Sequence, residues 1–189
     1  ATGTVFLSLA MGSLLVFFGM RGRQHMLPLL FYANLGMPEI MIAVGLLGMF
    51  SYLTVPLSLV TLIMCHTVLG LGYVVPLIYI RFEDLDKRYI EASLDLGATQ
   101  LQTFFKIVLP LLSPALLSAG LLVFIVSFDD FVLSFFCAGA TAQTLPLYIF
   151  SMLRAGSAPV VSALSTILIM ISSILVLTYL YLQTDKGGM

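Results

Sequence analysis

Nothing constrains this chain more than its apolar runs, because each is long enough to cross a bilayer. A bilayer core takes about 20 predominantly apolar residues per helix. Five segments reach that length: Thr2–Met20, Met26–Phe50, Pro56–Ile80, Ser113–Cys137 and Val161–Leu182. Runs of this kind favour helices, since a membrane barrel shows shorter alternating segments. Only 9% of the 189 residues are charged and the mean hydropathy is +1.12. A soluble domain carries about 25% charged residues. So few charges cannot cover a soluble surface, and an all-α polytopic membrane protein is expected. The net charge of -1 argues against a nucleic-acid partner, which calls for a basic surface.

Basic residues set the orientation, because cytoplasmic loops are enriched in Lys and Arg. If the spans alternate, Arg21, Arg23, Arg81, Lys87, Arg88, Lys106 and Lys186 fall on one side, and Arg154 falls on the other. Residues 81–112 are therefore expected in the cytoplasm and residues 138–160 outside. The chain starts at Ala1, directly inside an apolar run, and an odd number of spans puts that end outside. One further helix before Ala1 would return it to the cytoplasm.

Several chemistries find no support. Cys65 and Cys137 both lie in apolar runs, with neither a disulfide framework nor metal-ligand spacing. His25 and His66 have no ligand partner three or four residues away, so packed or interfacial histidines are expected rather than a metal site. No G-x-x-x-x-G-K-[ST] phosphate loop is present, so this chain does not hydrolyse nucleotide by that route.

The charges concentrate in one place. Arg81, Glu83, Asp84, Asp86, Lys87, Arg88, Glu91, Asp95 and Lys106 all lie between spans three and four. The stretch "YIEASLDLGATQLQTFFKIVLP" has a definite grammar: Glu91-Ala92-Ser93, three residues, Gly97, nine residues, then Ile107-Val108-Leu109-Pro110. Ala92, Leu94, Leu96 and Leu101 offer apolar contacts, while Glu91, Asp95 and Gln102 stay wet. A short amphipathic helix with a break near Gly97 fits that pattern. Pro110 tolerates only the start of a following helix or a kink. The plain alternative is a solvated connection between two spans.

Three acids lie inside apparent spans: Glu39, Asp129 and Asp130. An intramembrane carboxylate costs about 2.5–3.5 kcal/mol on insertion scales, so it should face a cavity, a partner or a substrate. No Lys or Arg lies within a span to pair with them. Glu39 follows Gly36-Met37-Pro38, where Pro38 cannot donate to the Asn34 carbonyl, so a broken helix is expected there. Such breaks at the midplane commonly mark transport sites. The alternative is a protonated Glu39 bonded to a freed carbonyl. Asp129 and Asp130 point about 100° apart on a helix. One can line a pathway while the other caps a helix or meets Arg154. Phe124, Phe128, Phe131 and Phe135 would share one helical face, more simply for packing than for ligand binding. Tyr73 and Tyr79 could offer cation–π contacts. Acids without an intramembrane base suit a cationic substrate.

The spacing of the charged loop resembles the E-A-A, three residues, G, nine residues, I-x-L-P loop of ABC-importer permeases, with Ser93 where the second Ala usually stands. "GMPEIMIAVGLLGMF", "RFEDLDKRYIEASLDLGA", "SFDDFVLSFFCAGATAQTLPLYIFSMLRAGSAP" and "ALSTILIMISSILVL" extend the likeness over the chain, which is similar to the C-type permeases of spermidine/putrescine importers. The resemblance implies a single type I permease domain over residues 1–189, with five helices of a six-span fold and the first span apparently lacking. It implies that Glu91, Ala92, Ser93, Gly97, Ile107, Leu109 and Pro110 form a coupling helix seated in a cytoplasmic ATPase. It implies a second homologous permease, two ATPase subunits, an external substrate-binding protein and a polyamine substrate, all at a bacterial inner membrane. This chain would then be a transport subunit and not an enzyme, without a cofactor of its own, and the ATPase would bind ATP and Mg2+. Glu39, Asp129 and Asp130 are the substrate-pathway candidates. A cation channel is the competing class, separable because it needs no ATPase-docking loop. An intramembrane protease is disfavoured because Asp129-Asp130 is not a pair of acids on two helices.

Overall fold

The computed structural model describes residues 1–19, 26–140 and 142–156, and beyond them 162, 163, 165–167, 169, 170, 173 and 174. The described residues are helical, with no strand among them. Arg21, Arg23, His25 and Lys186, and most of the expected fifth span, lie outside the described residues.

Helix α1 (Thr2–Leu14) runs into a π-helical turn, Leu15–Gly19. Then come α2 (Met26–Gly36), α3 (Glu39–Tyr52) and α4 (Leu59–Glu83). The charged loop contains α5 (Arg88–Asp95) and α6 (Gln100–Thr103), followed by a π-helical turn at Phe104–Val108 and α7 (Leu109–Leu111). Next are α8 (Ser113–Asp129) and α9 (Val132–Cys137). The residues from Leu145 onward form a separate compact unit, of which α10 (Leu145–Arg154) is the described helix.

Thr2–Gly19 and α4 are each long and apolar enough to cross a membrane, and counting each of two bent helix pairs as one span raises the number to four among the described residues. In the first pair, Leu30–Gly36 and α3 meet at 113°. Pro38 supplies no N–H, and the Asn34 carbonyl accepts instead from Met37 N at 3.3 Å, so the expected break at Gly36–Pro38 is present. At that angle, however, α3 does not continue α2 in one line, and the segment is not a straight crossing. In the second pair, Gln100–Leu111 and α8 meet at 74°. The turn falls at Leu112, between Pro110 and Pro114, where the missing N–H groups interrupt the ladder.

Helix α4 is the post around which the first unit packs. One core layer joins Val16 and Phe17 of the first π turn, Val74, Val75, Ile78 and Phe82 of α4, Phe104 and Val108 of the second π turn, and Val123 of α8. The Phe17 and Phe104 rings lie 5.2 Å apart, so the two π turns pack face to face. The second layer joins Ala43 and Phe50 of α3, Cys65 and Leu69 of α4, and Leu133 and Cys137 of α9. Small residues bring α1 close to α4: a Cβ on Gly70 would stand 2.5 Å from Ser8 Oγ and 3.0 Å from Val123 Cγ1. Close helix approach over small side chains is how membrane helices gain dispersion energy without a hydrophobic driving force.

Span four differs from the expectation of one helix over Ser113–Cys137. Asp130 is extended (φ -67, ψ 122) and separates α8 from α9. Its carboxylate accepts from Leu133 N at 3.3 Å and Ser134 N at 2.9 Å, which satisfies amides that a new helix would leave open. The break also divides the phenylalanine stripe. Phe124 stacks on Phe128 (5.9 Å, 12°) within α8, and Phe131, at the cap of α9, meets Phe135 (5.6 Å, 34°), giving two separate pairs rather than one face.

Candidate functional site

Two places carry the residues singled out by the sequence. The first is the charged connection. Helix α5 is strongly amphipathic: Ser93 is buried and Ile90 packs on the core, while Glu91, Ala92 and Asp95 are exposed. It stops at Gly97, whose φ of +84 is a conformation that side chains resist,. No atom would touch a Cβ there, so the requirement is conformational rather than steric. Thr99 then opens α6 with a capping box: Gln102 N donates to Thr99 Oγ1 at 3.3 Å, and Thr99 N donates to Gln102 Oε1 at 2.9 Å,.

Ser93, the departure from E-A-A, has a contact that alanine could not make. Its hydroxyl lies 2.8 Å from the Thr103 hydroxyl and 2.8 Å from the Ile90 carbonyl. Thr103 also reaches the Thr99 carbonyl at 3.1 Å. The pair ties α5 to the helix that follows the turn. Ile107 and Leu109 are half-buried beneath this element and Pro110 is exposed. Leu96 is 89% exposed and Leu101 57% exposed, so the apolar side chains at the turn are uncovered by their own chain. The pairs Arg81–Asp84 (3.9 Å) and Lys87–Glu83 (3.8 Å) are exposed ion pairs of little stabilising value.

The second place is the intramembrane acids. Glu39 is the first residue of α3, half-buried just past the 113° bend. Glu39 and Asp130 both sit at helix N-termini, where the helix dipole favours negative charge. Asp129, in contrast, ends α8 and is exposed. A carboxylate there meets the negative end of the dipole and gains nothing from its own helix. So the structure places Glu39 and Asp130 at the starts of two helices that pack on one another and leaves Asp129 apart. Arg154 stands 4.8 Å over the Phe150 ring within α10.

His66 is packed, as expected, and it is also the intramembrane base that the acids were expected to lack. Its Nε2 lies 3.0 Å from Asp130 Oδ2 and its Nδ1 lies 3.1 Å from the Leu62 carbonyl, with the side chain 4% exposed. Looking for partners three or four residues away misses a pair separated by 64 positions. The available signal was the histidine itself, since a buried polar ring in an apolar run needs a bonded partner. Nearby, the free thiols Cys65 and Cys137 are both buried, and Cys137 Sγ faces the Ala43 carbonyl at 3.9 Å.

Comparison with known proteins gives this arrangement a context. The family described as "Binding-protein-dependent transport system inner membrane component" matches residues 5–187. The chain is 40% identical over 156 residues to the spermidine/putrescine transport system permease protein PotC of Haemophilus influenzae, covering 82% of this chain and 60% of the relative. It is 37% identical over 166 residues to PotC of Escherichia coli K12, covering 88% and 62%. It is 34% identical over 175 residues to the putrescine transport system permease protein PotI of the same organism, covering 89% and 62%. The chain thus spans 60–62% of the length of these relatives. With nearly all of its residues inside the family match, the chain belongs to the inner membrane components of binding-protein-dependent transport systems.

Proposed function

We propose that the chain is a permease subunit of an ATP-driven importer that carries polyamines such as spermidine and putrescine into the cytoplasm by alternating access. The observation that carries the reading is the exposed α5–Gly97–α6 element. It is amphipathic, sharply turned, and uncovered at Leu96 and Leu101, and it hangs on the helices that enter the membrane through Phe104, Val108 and Leu112. A rigid connection of that kind suits the transmission of ATPase closure to the spans. Residues 81–112 would be its cytoplasmic part and residues 138–160 its external part.

In this reading Glu91, Ala92, Ser93, Gly97, Ile107, Leu109 and Pro110 form the coupling element. The names of the relatives, spermidine/putrescine and putrescine permeases, support a polyamine as the cargo. Glu39 and Asp129 would receive its ammonium groups. The partners are a second permease of similar fold, two ATPase subunits that bind ATP and Mg2+, and an external binding protein. The test is uptake of labelled spermidine by the assembled importer in vesicles. ATP-dependent accumulation that ceases when the ATPase no longer copurifies is the expected result. Passive cation current without ATP would overturn it in favour of a channel.

A further inference from the structure

The hydrogen bonds around His66 count its protons. The Leu62 carbonyl can only accept, so Nδ1, 3.1 Å away, carries a hydrogen,. The 3.0 Å gap between Nε2 and Asp130 Oδ2 then holds one proton, on the ring or on the carboxyl. Asp130 Oδ2 also accepts from Ser134 N, and Oδ1 accepts from Leu133 N. With the shared proton on the ring, the pair is imidazolium and carboxylate; with it on the acid, both are neutral. Either way the pair has no net charge. Its side chains are only 4% and 1% exposed, a setting that tolerates a neutral pair and not a lone ion.

We propose that His66 is a positioning residue: through its shared proton with Asp130 it braces the α8–α9 break against α4, and it removes Asp130 from the charge presented to the substrate. Glu39 stands at the start of α3, which packs against α9, outside this neutral pair, and the exposed Asp129 is separate from both. The brace ties one break in the chain's regularity, the interruption at Asp130, to the unbroken helix α4. Its role in transport rests on the importer assignment.

Three variants test it in the assembled complex. His66→Leu strands the buried Asp130 carboxylate, so the yield of assembled complex falls at least about tenfold, since breaking a buried pair is strongly destabilising. Adding Asp130→Asn to His66→Leu restores at least half of the parent yield, because Asn Oδ1 can keep the shorter bond from the Ser134 amide and no charge is stranded. His66→Gln keeps a donor on Asp130 but removes the balancing charge, so the yield falls between those of the parent and His66→Leu, and the complex that forms carries one more negative charge beside Glu39. The half-saturating spermidine concentration then falls by roughly threefold or more and the maximal rate falls with it, because a more tightly held ammonium leaves more slowly. A His66→Leu complex at parent yield would overturn the brace, as would failure of Asp130→Asn to restore the yield. Unchanged saturation and rate in His66→Gln would overturn the charge balance. Glu39→Gln, measured alongside, separates the two ideas. If it leaves uptake unaltered while the double variant still restores assembly, the pathway reading fails and the brace stands.

Discussion

Ser93 Oγ lies 2.8 Å from Thr103 Oγ1, across the turn that Gly97 makes, and the contact is buried. Each hydroxyl has one proton, so one donates across the gap and the other donates to its own backbone carbonyl, Ile90 or Thr99. Removing one member leaves the other on its carbonyl, and removing both leaves an apolar contact. Ser93→Ala and Thr103→Val should each cost about 0.5–1.5 kcal/mol, and the double variant less than their sum. Thermal unfolding of the purified complex, taken as a double-mutant cycle, reads the coupling. Strict additivity would mean that the bond does not tie α5 to α6.

Gly97 offers a cleaner separation of folding from coupling. Its φ of +84 favours glycine, and the space beside it is open. A side chain there costs about 1–2 kcal/mol of local conformation without touching the buried core. Gly97→Glu should insert normally and yet lose copurifying ATPase and spermidine uptake. Glu91→Lys, on the exposed face of α5, should do the same by reversing a charge at the docking surface. Parent-level transport in either variant would exclude this element as the coupling surface.

Packing between α1 and α4 gives a prediction independent of transport. A methyl group on Gly70 would stand 2.5 Å from Ser8 Oγ, so Gly70→Ala should destabilise by about 1–3 kcal/mol, the usual cost of overpacking. Ser8→Gly should relieve part of that cost, since it removes the atom nearest the new methyl and leaves Val123 Cγ1 at 3.0 Å. The midpoint of thermal aggregation in detergent measures both. A Gly70→Ala protein as stable as the parent would mean that α1 sits farther from α4.

How much of this was legible depended on whether the cause was local. The break before Glu39 could be read because Pro38 cannot donate a hydrogen bond wherever it stands. The turn at Gly97 could be read for a similar reason, as could a bend near Pro110. The break at Asp130 could be read only as one of two acids capping a helix, not as an interruption of the span expected over Ser113–Cys137. Neither Asp130 nor Phe131 is a helix breaker by type, and the carboxylate is held by His66 on another helix. Once the helix is interrupted there, the spacing from Phe124 to Phe135 no longer defines a face. The depth of the bend between α2 and α3 was hidden as well, since sequence marks the loss of a hydrogen bond but not the direction the next helix takes.

Orientation can be tested with exposed positions. Cys65 and Cys137 are buried and can be replaced by alanine to give a silent background. Ser93 is buried too, so the inward probe is better placed at the exposed Asp95 and the outward one at Ala155. Asp95→Cys should react with an impermeant maleimide only in inverted vesicles, and Ala155→Cys only in intact cells. Reaction of both from the same side would overturn the alternation inferred from the basic residues.

The intramembrane acids divide by their surroundings, and uptake should reflect that division. Glu39→Gln and Asp129→Asn nearly preserve volume while removing charge. Glu39 lies half-buried at the bend before α3, and Asp129 is exposed at the unfavourable end of the α8 dipole,. Neither carboxylate holds a cap of the kind Asp130 makes, so both variants should assemble. If they meet the ammonium groups of the cargo, each should weaken uptake by about 1–3 kcal/mol, the range for a hydrogen bond to a charged group. That is roughly five- to a hundredfold, at about 1.4 kcal/mol per factor of ten. Labelled spermidine uptake, normalised to the amount of assembled complex, is the measurement. A loss seen for Glu39→Gln alone would put the substrate at the α2–α3 bend. A loss for Asp129→Asn alone would move it to the end of α8. Parent-level uptake in both would remove electrostatic attraction from the pathway and leave the importer assignment standing on the α5–α6 element.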